Sequence, residues 1–124
     1  MIIQMYDDSR MDEVREVVLG VLLEHGFEYD RLKDADLKDI NSYYLSKDGA
    51  FFVGIDNGRV VGTAGVRKLE ENMCEIRRIY LKKEYRGKGN KTDPALKKAI
   101  NMYLKHGFSF VMKKDGYMYF EKRF

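Results

Sequence analysis

The middle of the sequence contains the pattern of a tight β-hairpin. The stretch AFFVGIDNGRVVGTAGV consists of two apolar, β-rich runs, and Asp56, Asn57 and Gly58 separate them. An Asn-Gly pair favours a two-residue turn whose twist matches that of the strands on either side. The sequence therefore predicts two antiparallel strands at this point of the chain.

A third strand follows the hairpin and contains an irregularity. The run CEIRRIYL alternates as a strand does, but Ile76 and Ile79 are three residues apart whereas Ile79 and Leu81 are two apart. An alternating pattern that slips by one residue indicates an extra residue in the strand. We therefore predict a β-bulge near Arg77 and Arg78.

The first helix is predicted by a stripe of apolar residues. Ser9 and Asp12 have the spacing of a capping box, which would begin the helix, and Gly26 is suited to end it. The stripe repeats at i, i+3, i+4, i+7 and i+8. Its members are Val14, Val17, Val18, Val21 and Leu22.

The remaining elements complete a chain of mixed helices and strands. The order β, α, α, β, β, β, loop, α, β, β predicts an α/β (α+β) fold with a mixed, mostly antiparallel sheet flanked by helices. The chain has 124 residues, so we expect a single domain over 1–124. The further predicted elements are a strand at Ile2 to Tyr6, a helix at about Ala35 to Leu45, a helix capped by Asp93 and Pro94, and strands at Phe108 to Met112 and Tyr117 to Phe124.

The composition is that of a folded protein without a membrane span. Hydrophobic residues make up 44% and charged residues 35%. No run approaches the roughly 20 apolar residues of a membrane-spanning helix, and MIIQMYDDSR lacks the features of a signal peptide, so we expect a cytoplasmic protein with no membrane partner. Cys74 is the only cysteine, which excludes an internal disulfide and a cysteine-based metal site and favours a small strand residue. No metal site is predicted.

A basic, glycine-rich segment follows the third strand of this region. Glycines between a strand and a helix allow backbone N–H groups to approach phosphate oxygens. The match to a P-loop fails because Gly89 is followed by Asn90, Lys91 and Thr92, and a third glycine of a dinucleotide fingerprint is missing. Nucleic acid is a weak alternative, since the net charge is only +3 and the aromatic residues near the basic run are few.

Three motifs in order resemble the GNAT family of N-acetyltransferases. RRIYLKKEYRGKG resembles the family's strand and acetyl-coenzyme A signature, VGIDNGRVVGTAGV resembles the hairpin before it, and ALKKAINMYLKHGF resembles the A-x-x-x-Y-x-x-x-G-F motif after it. The resemblance implies a GNAT-like acyl-CoA N-acyltransferase fold. It also implies acetyl-CoA as cosubstrate and an amine-bearing small molecule or peptide as acceptor.

The resemblance also implies which residues contact the cosubstrate. The bulge in the fourth strand would turn a backbone amide toward the acetyl carbonyl, and the strand after it would contact the pantetheine arm through backbone groups. The loop would bind the pyrophosphate with N–H groups and positive charge. The implied cofactor-binding residues are Ile79, Tyr80, Leu81, Arg86, Gly87, Lys88, Gly89 and Asn90.

Two side chains are candidates for proton transfer. A lysine-like amine has a pKa of about 10.4, so a base must take its proton before it attacks a thioester. Glu75 resembles a strand-four glutamate that some family members use; the alternative is an exposed strand glutamate paired with Arg77. Tyr103 resembles the family's tyrosine that protonates the departing thiolate, and the alternative is a core aromatic on a helix face.

The spacing after the glycine-rich loop departs from the family pattern. Thr92, Asp93 and Pro94 resemble the end of the family's fifth strand, yet they follow Asn90 almost directly. A helix, a strand and their connections need on the order of 20 to 25 residues. We therefore expect a sheet truncated or rearranged after strand four, in which the C-terminal hairpin or a second copy of the chain covers the strand's edge. The alternative function is a catalytically impaired GNAT-fold binding or interaction module.

Overall fold

The computed structural model describes residues 2–70, 73–85, 108–114 and 117–122. Its strands form one six-stranded sheet in the order β1-β2-β3-β4-β6-β5, and each neighbouring pair is antiparallel. This arrangement confirms the prediction of a mostly antiparallel sheet combined with helices. The elements are β1 (Ile2–Met5), α1 (Met11–Glu24), α2 (Ile40–Tyr43), β2 (Ala50–Asp56), β3 (Arg59–Glu70), β4 (Met73–Leu81), β5 (Phe108–Lys114) and β6 (Tyr117–Lys122).

The hairpin between β2 and β3 has the predicted turn. Asn57 and Gly58 both have positive φ, 50° and 76°, as a two-residue turn with the twist of its strands requires. Asp56 pairs with Arg59 across the turn. The prediction made from the Asn-Gly pair is therefore confirmed.

Helix α1 packs on the sheet through its predicted apolar stripe. The four valines of the stripe are at most 7% exposed, and Leu22 packs beside them. Gly26 follows the helix with a φ of 78°. The predicted capping box at Ser9 is wrong, because the carboxylate of Asp7 accepts a hydrogen bond from the Ser9 backbone N–H and begins a 3₁₀ turn, Asp8–Arg10, ahead of the helix.

The segment predicted as one helix from Ala35 to Leu45 is divided into short pieces. A 3₁₀ turn (Ala35–Lys38), α2 and a second 3₁₀ turn (Leu45–Lys47) follow one another. Asp39 interrupts the helix because its backbone is extended and its carboxylate accepts a hydrogen bond from the Ser42 backbone N–H. The apolar residues Leu37, Ile40 and Tyr44 of this segment are nevertheless buried, at most 2% exposed.

The core lies on both faces of the sheet. Alternate residues of β2 point to opposite faces, so its odd-numbered and even-numbered side chains enter two different clusters. One cluster joins the sheet to α1 and α2 and includes Val14, Val18, Ile40, Tyr44, Phe51 and Val53. The other includes Phe52, Ala64, Val66, Cys74, Ile76 and Leu81.

The C-terminal hairpin covers part of the edge of β4. β5 and β6 pair with each other, and β6 pairs with β4 from Met73 opposite Glu121 to Ile76 opposite Met118. This pairing confirms that the closing strands form a hairpin and that the hairpin covers strand four. The pairing of β6 with β4 ends before the predicted bulge. The predicted helix after Asp93 lies outside the described residues.

Candidate active site

The bulge in β4 is present where the sequence predicts it. Thr63 pairs with Tyr80 and Gly65 with Arg77, so Arg78 and Ile79 together stand opposite Ala64. Arg78 has a φ of 56°, the left-handed region that non-glycine residues rarely adopt. The Thr63 hydroxyl donates a buried hydrogen bond of 2.8 Å to the Arg78 carbonyl. The bulge therefore has a defined geometry in spite of its unfavourable backbone conformation.

The side chain of Arg78 is held by two buried carboxylates. Its Nε lies 3.0 Å from Asp36 Oδ2, and its Nη2 lies 2.7 Å from Asp36 Oδ1 and 2.8 Å from Asp34 Oδ1. The hydroxyl of Tyr44 donates a further bond of 2.6 Å to Asp36 Oδ2. Asp36 is 1% exposed and Arg78 6%. We call Arg78, Asp34 and Asp36 the bulge clamp, because they tie the bulge to the segment that leads into α2.

Opposite charge outweighs burial within the bulge clamp. Burial alone would raise the pKa of Asp36, but its hydrogen bonds and charge interaction with Arg78 lower the pKa below its ordinary value. Burial alone would lower the pKa of Arg78, and the two carboxylates instead raise it. Burial and the Asp36 charge raise the pKa of the Tyr44 hydroxyl. The clamp is therefore charged, and Tyr44 is its neutral donor.

Glu75, the candidate base, lies inside the protein on β4. It is 6% exposed, and its Oε1 lies 3.2 Å from Arg77 Nε. The alternative interpretation, an exposed glutamate paired with Arg77, is right about the partner and wrong about the exposure. Arg77 Nη1 also donates to the Tyr43 hydroxyl at 2.5 Å. The ion pair therefore places the Glu75 carboxylate beside a guanidinium that also contacts Tyr43.

The three strand residues expected to contact the cosubstrate follow the bulge. Ile79 and Leu81 belong to one face of the sheet, where they pack with the cluster around Phe52, and Tyr80 packs on the other face with the cluster around Phe51. Their side chains therefore contribute to the core. Leu81 is fully buried, whereas Ile79 and Tyr80 are half-buried, and the expected contact of this stretch with the cosubstrate through backbone groups stays a prediction.

A second aromatic and cationic group lies beside Glu75 and was not singled out by the sequence. The guanidinium carbons of Arg67 and Arg77 lie 5.0 and 5.6 Å from the centroid of the Tyr43 ring. Arg67 stands directly opposite Glu75 in the β3–β4 register. The signal in the sequence is weak: the alternation of Gly65, Arg67 and the residues opposite them indicates a shared face of the sheet but does not include Tyr43.

The end of β4 is attached to the hairpin turn. The Lys82 N–H donates to the Val61 carbonyl, and the Tyr85 hydroxyl donates 2.8 Å to Asp56 Oδ2. The chain thus leaves the sheet from a fixed position directly before the glycine-rich loop. The loop residues Arg86, Gly87, Lys88, Gly89 and Asn90, together with Tyr103, lie outside the described residues.

Neither a metal cluster nor a membrane helix is found in the described part of the chain. Among those residues, no group of three or more His, Cys, Asp or Glu side chains could hold a metal ion. None of the described helices is long and apolar enough to cross a membrane. Cys74 is 2% exposed, and burial raises the pKa of its thiol to about 11, as expected for a packed strand residue.

Comparison with known proteins identifies the family. A model described as the acetyltransferase (GNAT) family matches residues 12–89, more than half of the chain. The chain belongs to the GNAT family. The matched range includes Glu75, the bulge at Arg78 and Ile79, and the glycine-rich loop as far as Gly89.

Two curated relatives match part of the chain. It is 43% identical over 56 residues to the N-acetylaspartate synthetase of Xenopus tropicalis, a match that covers 44% of this chain and 21% of that protein. It is 34% identical over 77 residues to the N-acetylaspartate synthetase of Danio rerio, covering 60% of this chain and 25% of that protein. The matches thus span a quarter or less of the length of these relatives.

Solved structures confirm the GNAT fold over nearly the whole chain. An acetyltransferase of the GNAT family from Staphylococcus aureus has a TM-score of 0.67 and 22% identity, covering 98% of this chain and 97% of that chain. An acetyltransferase from Streptococcus agalactiae has a TM-score of 0.65 and 14% identity, covering 99% and 98%. The PaiA N-acetyltransferase from Thermoplasma acidophilum, solved in complex with coenzyme A, has a TM-score of 0.52 and 13% identity, covering 99% and 98%.

Proposed function

We propose that the chain is an N-acetyltransferase that moves an acetyl group from acetyl-CoA to a primary amine of a small molecule or peptide. The observation that supports this most is the bulge at Arg78 and Ile79. It lies within the family match and a few residues before the basic glycine-rich loop. A left-handed residue in a strand re-aims the backbone groups that follow it, which suits recognition of an acyl carbonyl.

Acetyl-CoA would be held by two parts of the chain. The backbone of Ile79, Tyr80 and Leu81 would bind the acetyl end and the pantetheine arm. The N–H groups and cations of the loop would bind the pyrophosphate. The loop residues in this role are Arg86, Gly87, Lys88, Gly89 and Asn90.

Acetyl transfer needs one proton to leave the amine and one to reach the thiolate. The new bond joins the acetyl carbon to the amine nitrogen, and the bond between that carbon and sulfur breaks. Glu75 would accept the amine proton, directly or through a water, with Arg77 holding its carboxylate in place. Tyr103 would give a proton to the departing thiolate.

The relatives' name indicates an acceptor to test first. An N-acetylaspartate synthetase forms an amide on the amino group of aspartate, and this chain is similar to two proteins of that name. We therefore include aspartate among the proposed acceptors.

A cytoplasmic location and a homodimer remain predictions. A monomer in solution, measured by sedimentation, would contradict the prediction of a dimer.

A catalytically impaired binding module is the second candidate. The observation that favours it is the short spacing between Asn90 and Pro94, which leaves little chain for a helix facing the pyrophosphate. The Glu75 carboxylate is also buried and already paired with Arg77, which limits its access to an acceptor amine. This candidate predicts a stable GNAT domain that binds acetyl-CoA weakly or not at all.

Calorimetric titration with acetyl-CoA separates the two candidates. We expect saturable binding that is weakened roughly tenfold or more by Arg86→Ala and by Lys88→Ala, because each removes a charge-assisted contact to phosphate. Lys38→Ala is the matched control, since Lys38 is exposed in the 3₁₀ turn before α2. Release of free thiol with an amine panel then tests turnover. A folded protein that shows no heat at millimolar acetyl-CoA would support the binding module instead.

A further inference from the structure

Arg67 differs from the other cations around it in its electrostatic partners. Arg77 is paired with Glu75, Arg78 with both carboxylates of the bulge clamp, and Lys68 with Asp48 at 3.7 Å. Within the described ranges, Arg67 has no carboxylate at ion-pair distance, and its contact is the face of the Tyr43 ring. Among the described side chains, the Arg67 guanidinium therefore contacts an aromatic ring and no carboxylate.

The surroundings of Arg67 suit it to bind a small anion. Its side chain is half-buried, so part of its hydration is already removed. The ring of Tyr43 supports the guanidinium, and Arg77 Nη1 in turn donates to the Tyr43 hydroxyl, which fixes the ring. An oriented guanidinium presents two parallel N–H groups that match a carboxylate.

The position of Arg67 connects it to the proposed reaction. Arg67 is the cross-strand partner of Glu75, and directly opposed residues in antiparallel strands have Cβ atoms roughly 5 Å apart. A molecule whose amine approaches Glu75 therefore places its next few atoms within reach of Arg67. An acceptor with an anionic group a few bonds from its amine would use both residues.

We propose that Arg67, supported by Tyr43, binds a carboxylate of the acceptor, so that the acceptor class is amines that carry a carboxylate close to the reacting nitrogen. This inference rests on the proposed acetyltransferase function. It assigns a specificity residue to the acceptor side of the site, on β3, apart from the strand and loop proposed for acetyl-CoA. The complementary charge also favours anionic over polycationic amines, because Arg67 and Arg77 would repel a second ammonium group.

Steady-state kinetics with two matched acceptors test the proposal. L-aspartate carries the carboxylates, and its dimethyl ester keeps the same amine and skeleton without them. We expect Arg67→Ala to raise KM for aspartate on the order of tenfold to a hundredfold, which corresponds to one charged hydrogen-bonded contact. KM for the ester and KM for acetyl-CoA should remain unchanged, and Arg67→Lys should restore part of the affinity because it keeps the charge.

The control is Lys68→Ala, which removes the neighbouring charge from the opposite side of the same strand and should leave both acceptors unaffected. Far-UV circular dichroism establishes that each variant is folded. If wild-type protein acetylates amines but Arg67→Ala affects aspartate and the ester equally, or affects neither, the acceptor proposal is overturned and the acetyltransferase function stands. If folded wild-type protein binds no acetyl-CoA, the proposed function fails and the acceptor proposal fails with it.

Discussion

Removing Asp36 should destabilise the domain strongly. The Asp36→Ala substitution removes the acceptor of the Arg78 contacts at 3.0 and 2.7 Å and of the Tyr44 hydrogen bond at 2.6 Å. Arg78 then keeps one carboxylate, Asp34, while its guanidinium and the Tyr44 hydroxyl stay buried. Truncating one partner of a buried ion pair costs about 3–5 kcal/mol, because the other charge is left uncompensated. The free energy of unfolding of a native domain is roughly 5–15 kcal/mol, so this loss is a large part of it.

Urea unfolding measures this loss directly. The chain has no tryptophan and nine tyrosines, so far-UV circular dichroism and tyrosine fluorescence are the suitable signals. Glu16→Ala is the matched control, because Glu16 is 64% exposed and lies 3.8 Å from Lys82 in a surface ion pair. Such pairs contribute about 1 kcal/mol or less. If Asp36→Ala lowers the free energy of unfolding no more than Glu16→Ala does, the argument that the buried ion pair of the bulge clamp stabilises the fold is refuted.

The same carboxylate predicts the direction of a pH effect. The pKa of Asp36 is lowered in the folded protein, so its contribution to the free energy of unfolding is present above the unfolded pKa of about 3.9. The contribution is lost as the pH falls through the folded pKa. Asp36→Asn cannot titrate, and we expect its stability to fall less steeply with acid than that of the wild type. Equal acid dependence of the two proteins would contradict the assignment.

Two further predictions concern packing. Gly65→Ala should lower the free energy of unfolding by about 1–3 kcal/mol, because its Cβ would lie 2.9 Å from the buried ring of Tyr44. Gly20→Ala should raise it by about 0.5–1 kcal/mol, because Gly20 lies on the exposed side of α1 with nothing within 4 Å of the added Cβ. Thermal unfolding compares the two variants. Cys74 should react with a thiol reagent at pH 8 far more slowly in native protein than in urea, since it is buried and its pKa is raised to about 11. Rapid labelling of the native protein would contradict the described packing of β4.

Local patterns predicted the parts of the fold that depend on neighbouring residues. The Asn57-Gly58 turn needs positive φ at both positions, and few other residue pairs supply it. The valine stripe of α1 and the slip between Ile76 and Ile79 are likewise readable from spacing alone, because burial imposes a fixed period on a helix or strand. These features gave the hairpin, the helix and the bulge of β4 at the correct positions.

Contacts between distant parts of the chain were beyond such patterns. Asp36 lies in a segment whose spacing suits a helix, but its carboxylate pairs with Arg78, 42 residues further on, and Asp39 caps a new helix nearby. Sequence spacing carries no information about that pairing. For the same reason the sequence did not indicate that Arg67 and Arg77 share the ring of Tyr43. The start of α1 was misassigned because Asp7 and Ser9 are both good capping residues, and in the structure Asp7 caps the 3₁₀ turn that precedes the helix.

The bulge clamp also affects how any loss of activity should be interpreted. Arg78 supplies both the left-handed backbone of the bulge and the cation that anchors the segment before α2, so the bulge and that segment cannot move independently. A change at Asp34 or Asp36 would therefore disturb the backbone of Ile79 without touching it. Loss of acetyl transfer in such a variant indicates a positioning effect, whereas the Arg67 variants leave the clamp intact. Measuring acetyl transfer by the Asp34 and Asp36 variants and by the Arg67 variants with the same acceptor separates orientation of the acyl group from recognition of the acceptor.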